Sequence, residues 1–190
     1  MEELQKPELK KSRAIEAIRR AAIKKFLILG VFIAVVLAFS AWGVIVYQNR
    51  LKNLPGRFFA NQGQEHIAVN APHPEYNSNP PTSGWHYGQP AEWGVYTKEL
   101  PDEQLIHNLE HGGIWIAYKP DLSEEIKKKL EEFYKKYGRK IIVTPRAKND
   151  SDIALAAWNH LDTFGVAEYS DERVEKFIKA FRNKGPEFVP

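Results

Sequence analysis

Residues 105–118 read LIHNLEHGGIWIAY and put two imidazoles and a carboxylate, His107, Glu110 and His111, into five positions. Histidines four apart on a helix share one face about one turn from each other, so their ring nitrogens can converge on one ion. Two ligands do not make a site. The best-placed third is His86 in TSGWHYG, with His73 behind it, and Gly84 and Gly88 would let that loop come close to a helix. Glu110 is a candidate fourth donor, or a partner that fixes the tautomer of one imidazole. The chain has no cysteine and one methionine, at position 1, so thiolate and thioether ligands are absent. The remaining imidazole, carboxylate and phenol donors suit zinc(II) or copper(II) and exclude copper(I) and iron–sulfur clusters.

Other chemistries compete for the same residues. The string H-x-x-E-H is also a metallopeptidase signature in which the glutamate is the general base beside two metal ligands. Such enzymes need a long helix and a second helix with an acidic ligand, whereas Gly112-Gly113 stop this one early, so a metal-dependent hydrolase is the weaker expectation. In a purely structural alternative, the imidazoles and Asn108 satisfy backbone groups of an irregular loop. The aromatic residues Tyr76, Trp85, Tyr87, Trp93 and Tyr96 would then either grip a cell-wall or protein partner or pin that loop down. Metal binding and structural pinning both stay open at this point. His66 in HIAVN and His160 in WNHLDTF read as strand-edge and loop residues outside the ligand set. No GxSxG elbow and no phosphate-binding glycine loop is present.

The elements that must carry these residues divide sharply by charge. Residues 1–50 hold nine Lys and Arg against four acidic residues, and residues 51–190 hold eighteen against twenty. The basic character of the chain, net +3, therefore belongs to its first fifty residues, and the remainder carries no nucleic-acid footprint. Phe26 to Val46 run twenty-one residues without a charge, enough at about 1.5 Å per residue to span a hydrocarbon core of roughly 30 Å. Lys10, Lys11, Arg13, Arg19, Arg20, Lys24 and Lys25 precede the run, and only Arg50, Lys52 and Arg57 follow at comparable distance. The positive-inside rule then keeps the N-terminus in the cytoplasm and exports the rest from the cell membrane. A cleavage site at Ala38-Phe39-Ser40 is the alternative, but the apolar run continues well past it, which favours a retained anchor. The expected organisation is a tail over 1–25, an anchor over 26–47, a stalk over 48–64 and an extracytoplasmic domain over 65–190.

Within that domain, residues 69–96 are rich in Pro, Asn and Ser yet carry Trp, Tyr and His, which predicts an ordered loop. A short helix over 102–111 follows WGVYTKEL (93–100), read as a strand. GGIWIAYK (112–119), KIIVTP (140–145) and IALAAW (153–158) have strand composition. Asp121 with Glu124 offers a capping box for an amphipathic helix through Ile126, Leu130, Phe133 and Tyr137 to Gly138. Ser170 starts a second, with Val174, Phe177, Ile178 and Phe181 inward and Gly185-Pro186 closing it. Lys127, Lys128, Lys129, Lys135 and Lys136 fall on the solvent side of the first. The expected class is α+β, a transmembrane helix followed by a compact domain with a small mixed sheet, two amphipathic helices and a thioredoxin-like order of elements.

The segments YNSNPPTSGWHYG, WGVY, HNLEHGGIWIAY, ALAAW and FIKAFRNKGPE resemble the bacterial and archaeal family catalogued as domain of unknown function 3105, from about Gln62 to Glu187. The family pattern falls on Pro80, Pro81, Thr82, Ser83, Gly84, His86 and Tyr87, then on His107, Asn108, Leu109, Glu110, His111 and Gly112. Trp85 stands where the family often has proline, which alters loop rigidity more than chemistry. The resemblance implies a single N-terminal membrane anchor and joint action of His86, His107 and His111. The resulting expectation is a membrane-anchored protein that buffers or delivers zinc or copper through His86, His107 and His111, with His73 or Glu110 as fourth donor.

Overall fold

From Gln5 to Lys52 the chain is one helix, α1, of 48 residues. The computed structural model describes residues 5–187 and 189. Within α1, the span Ile18–Asn49 is long and apolar enough to cross a membrane, and no residue of its apolar window is buried. This is what an uninterrupted run of Leu, Ile, Val and Phe dictates: helical hydrogen bonds satisfy the backbone internally, and no polar face is left for packing on a core. The helix forms one compact unit up to Asn53, and the chain from Leu54 onward forms a second.

The second unit begins with four short strands, β1 (Arg57–Phe58), β2 (His66–Ile67), β3 (His86–Tyr87) and β4 (Gly94–Val95). Then come α2 (Asp102–Glu110), β5 (Ile114–Tyr118), α3 (Glu124–Tyr137), β6 (Ile141–Pro145), β7 (Ile153–Ala157), β8 (His160–Phe164) and α4 (Asp171–Phe181). Six strands form one mixed sheet in the order β1-β8-β7-β5-β6-β4, while β2 and β3 pair separately. β5 and β6 are parallel, joined across α3, and β7 and β8 run antiparallel to their neighbours. The α+β class holds, but the strand expected to open a thioredoxin-like order, over 93–100, lies at the sheet edge as β4, and the central order β8-β7-β5-β6 includes β8, which the sequence did not predict, with β1 at the other edge.

Alternation along the strands builds two cores. Ile114, Ile116, Tyr118, Ile141, Val143, Ile153 and Leu155 face Leu130 and Phe133 of α3 and Val174, Phe177, Ile178 and Phe181 of α4. Trp115, Ala117, Ile142, Ala154 and Ala156 face the other way, toward Leu105, Ile106 and Leu109 of α2 and the aromatic loop residues Trp93 and Tyr96. The sheet therefore has amphipathic helices on one face, and α2 with its loop on the other. Three fully buried aliphatic side chains contribute roughly 1.5–3 kcal/mol each. That is enough to fix α2 while its last turn carries imidazoles, an amide and a carboxylate.

Several expectations change in detail. The first amphipathic helix is capped by Ser123, whose hydroxyl accepts from Ile126 N, so Asp121 does not cap it. Helix α4 starts at Ser170 as expected but ends at Phe181, before Gly185-Pro186. The strand expected over 93–100 is reduced to Gly94–Val95, the two residues in register with Ile142 and Val143 of β6. β8 was not expected, since HLDTF mixes charge with apolar residues. It pairs along its full length with β7 through Asn159 at φ 62°, in a tight hairpin. Residues read as stalk contribute to the domain: Leu54 packs on the α3–α4 core, and β1 pairs with β8.

Candidate metal centre

Helix α2 starts after Pro101, with Asp102 and Glu103 in its first turn, where acidic groups complement the helix dipole. Arg146, itself buried, grips the Asp102 carboxylate with two hydrogen bonds of 2.8 and 2.7 Å and fixes that end. At the other end, Gly112 at φ +77° turns the chain into β5, and Gly113 N donates to Asn108 O. Asn108 pins the aromatic loop from inside: its amide donates to Ala91 O at 2.8 Å and its Oδ1 accepts from Ala91 N at 2.9 Å.

The loop reaches α2 through β3. Gly84 adopts φ +112°, a conformation that a side chain would resist, and Tyr76 lies 3.3 Å from where its Cβ would be. The turn aims the Gly84 carbonyl at His86, whose Nδ1–H donates to it at 2.7 Å. His107 Nδ1–H donates to Tyr87 O at 2.6 Å. Carbonyls only accept, so both histidines hold a proton on Nδ1 and turn Nε2 into the space between loop and helix. Backbone carbonyls on the far nitrogen are how proteins orient metal-binding imidazoles.

His86 Nε2 lies 2.9 Å from Glu110 Oε2, and His66 Nε2 lies 3.7 Å from the same oxygen. A tetrahedral ion at about 2.0–2.1 Å from its ligands holds neighbouring donors about 3.3 Å apart. The two separations bracket that value. The other Glu110 oxygen accepts from Gln64 Nε2 at 2.7 Å. One donor atom from each of His66, His86, His107 and Glu110 lies within 4.8 Å of every other. His86, His107 and Glu110 are buried, and His66 is the exposed member.

A second group, His107, Glu110, His111 and Glu187, satisfies the same distance limit. His111 Nε2 is 3.0 Å from His107 Nε2 and 3.1 Å from Glu187 Oε2. Glu187 comes from the segment after α4, which crosses the end of α2 through Asn183 N to Gly112 O and Glu187 N to Glu110 O. Gly185 makes that crossing possible, since a Cβ there would lie 1.9 Å from Glu110 O. Burial lowers the pKa of His107, with repulsion from His111 and His86 adding and the Tyr87 carbonyl and Glu110 opposing. Its Nε2 therefore stays available as a lone pair at neutral pH.

Of the five residues read as donors, His86 and His111 each join His107 and Glu110, but in separate groups, so the expected set of His86, His107 and His111 does not meet as one, and His73 lies outside both groups. His73 Nδ1 faces Pro74 O at 2.8 Å and its Nε2 faces Glu103 Oε1 at 3.3 Å, so it ties the loop to the start of α2. His66, read as a strand-edge residue outside the set, is at a strand edge and joins the set. The parallel β2–β3 pairing puts it directly opposite His86. Neither Gln64 nor Glu187 is among the residues read as donors from the sequence, although Glu187 closes the family segment FIKAFRNKGPE. His160 lies elsewhere, stacked on Phe181 at 4.1 Å. The aromatic loop residues are half-buried or buried, and Tyr76 OH donates to Trp85 O, Trp85 Nε1 to Glu65 and Tyr96 OH to Glu92 O. The rings of Tyr76, Trp93 and Tyr96 pack on the domain's own core.

The model of the family described as "Protein of unknown function (DUF3105)" matches residues 68–189, which include His86, α2 and Glu187 but begin just after His66. No curated protein and no solved structure matches the chain.

Proposed function

The chain belongs to the DUF3105 family of proteins of unknown function, and we propose that it binds one divalent transition-metal ion, zinc(II) or copper(II), through His66, His86, His107 and Glu110. The observation that carries this reading is the pair of Nδ1–H bonds to the Gly84 and Tyr87 carbonyls, which leaves the Nε2 atoms of two buried histidines free to ligate in a group whose donor atoms lie within 4.8 Å of one another and of Glu110. At 2.9 Å the His86–Glu110 contact needs either a proton or a cation between the two atoms. Three imidazoles and one carboxylate make a complete four-ligand set for zinc and leave copper(I) unfavoured.

Binding and delivery fit this set better than hydrolysis. Glu110 has one oxygen toward His86 and His66 and the other on Gln64, so neither is free to take a proton from a water. In this reading, α1 holds the domain at the cell membrane with its basic N-terminal segment in the cytoplasm and the metal centre outside. A protein of the cell envelope is the partner that would donate or receive the ion. The test is equilibrium dialysis of the full chain in detergent against zinc, beside a His86→Gln, His107→Gln double variant. The expected result is one zinc per wild-type chain and none retained by the variant. Equal retention by both would end the proposal.

A further inference from the structure

The metal-binding reading above is the premise here. The donors form two overlapping groups, an inner one of His66, His86, His107 and Glu110 and an outer one of His107, Glu110, His111 and Glu187. His107 belongs to both. With its Nδ1–H committed to the Tyr87 carbonyl it has one lone pair to give, on Nε2, and one lone pair serves one ion at a time. Charge points the same way. The combined strip has two carboxylates, Glu110 and Glu187, too few to neutralise two divalent ions a few ångströms apart around a buried centre.

Exposure is graded along the strip. The side chains of His86 and Glu110 at its middle are 0 % and 5 % exposed, whereas His66 at one end and Glu187 at the other are 53 % and 52 % exposed. His111, between Glu187 and His107, is 12 % exposed. The strip is therefore open at both ends and closed in the middle. Glu187 reaches its place only because the Gly185 backbone lies directly against Glu110 and Gly112.

We infer that the strip holds a single divalent ion in either of two positions, inner and outer, with His107 and Glu110 as the ligands common to both. The ion moves between them by exchanging His111 and Glu187 for His86 and His66 while His107 and Glu110 stay bound. Coordination bonds form and break with no change of oxidation state, and the proton that bridges His86 and Glu110 while the inner position is empty passes to the vacated His111–Glu187 pair as the ion moves inward, and back as it moves outward. An ion can then be taken up at one exposed end and handed on at the other, which is the property a delivery protein needs.

Zinc stoichiometry of four full-length chains in detergent reads this out: wild type, a His66→Ala, His86→Gln variant, a His111→Ala, Glu187→Gln variant and His107→Gln. The expected pattern is one ion, one ion, one ion and none. Two ions in wild type would overturn the shared position, and so would none in the His66, His86 variant. No ion in wild type would instead overturn the metal reading itself. A second measurement does not depend on the buried His86 substitution. Copper(II) paramagnetic resonance of wild type at one equivalent should show two overlapping species that collapse to one in the His111, Glu187 variant. A single spectrum unchanged by that variant would contradict the inference.

Discussion

Replacing Glu110 by glutamine keeps the shape of the side chain and removes its charge. Glu110 is 4 % exposed, and its Oε2 is the atom that His86 and His66 share. Removing one partner of a buried charge pair costs about 3–5 kcal/mol, which is about two to three and a half orders of magnitude in affinity. Gln64→Leu removes only the 2.7 Å bond to the other oxygen. Loss of an outer partner that orients a metal ligand typically costs about 10–100-fold, or roughly 1.4–2.7 kcal/mol. The series is therefore graded, with wild type tightest, Gln64→Leu intermediate and Glu110→Gln weakest. Competition of zinc between the full chain in detergent and a chromophoric chelator measures it, with urea midpoints taken alongside to exclude loss of fold. Glu110→Gln binding zinc within threefold of wild type would refute the assignment of its Oε2 as a donor.

Two further predictions concern stability. Burial lowers the pKa of His160, with Lys184 repulsion adding and the Trp158 carbonyl bond opposing. A histidine with a depressed folded pKa gives its full stabilisation above the unfolded value of about 6.5 and loses it as pH falls through the folded value. With chelator present, the urea midpoint of wild type should fall between pH 7 and pH 5. That of His160→Phe should fall less, leaving the part due to His107, whose pKa is also lowered; equal slopes would contradict the argument. Gly185→Ala places a Cβ 1.9 Å from Glu110 O and must lift the crossing segment, breaking the bonds from Asn183 N and Glu187 N. At about 1 kcal/mol per hydrogen bond the loss is about 2 kcal/mol, readable as a lower urea midpoint. A midpoint equal to wild type would show that the close approach is not needed.

Periodicity carried the parts of this fold that rest on a single chain segment. Leu130 and Phe133 on α3, and Val174, Phe177, Ile178 and Phe181 on α4, are buried as their spacing predicts. β5, β6 and β7 begin and end within two residues of their apolar runs. The helical i,i+4 relation also placed His107 and His111 together, because a local period fixes it. What depends on pairing between distant segments was not legible. His66 becomes a donor only through its register with His86 across β2 and β3, twenty residues apart and two residues long each. Glu187 reaches His111 only because two glycines, 112 and 185, let backbones touch, a contact that no spacing rule encodes. His73 lies outside both donor groups for the converse reason: proximity in sequence to His86 does not bring its ring to Glu110, and its Nε2 faces Glu103 instead.

X-ray absorption at the zinc edge of the zinc-loaded full chain tests the central claim most directly, because it counts ligands by type. The account predicts mixed nitrogen and oxygen coordination at about 2.0–2.1 Å with the outer-shell scattering of two or three imidazoles, lost in the His107→Gln variant. A first shell of oxygen alone, with no imidazole scattering, would contradict it.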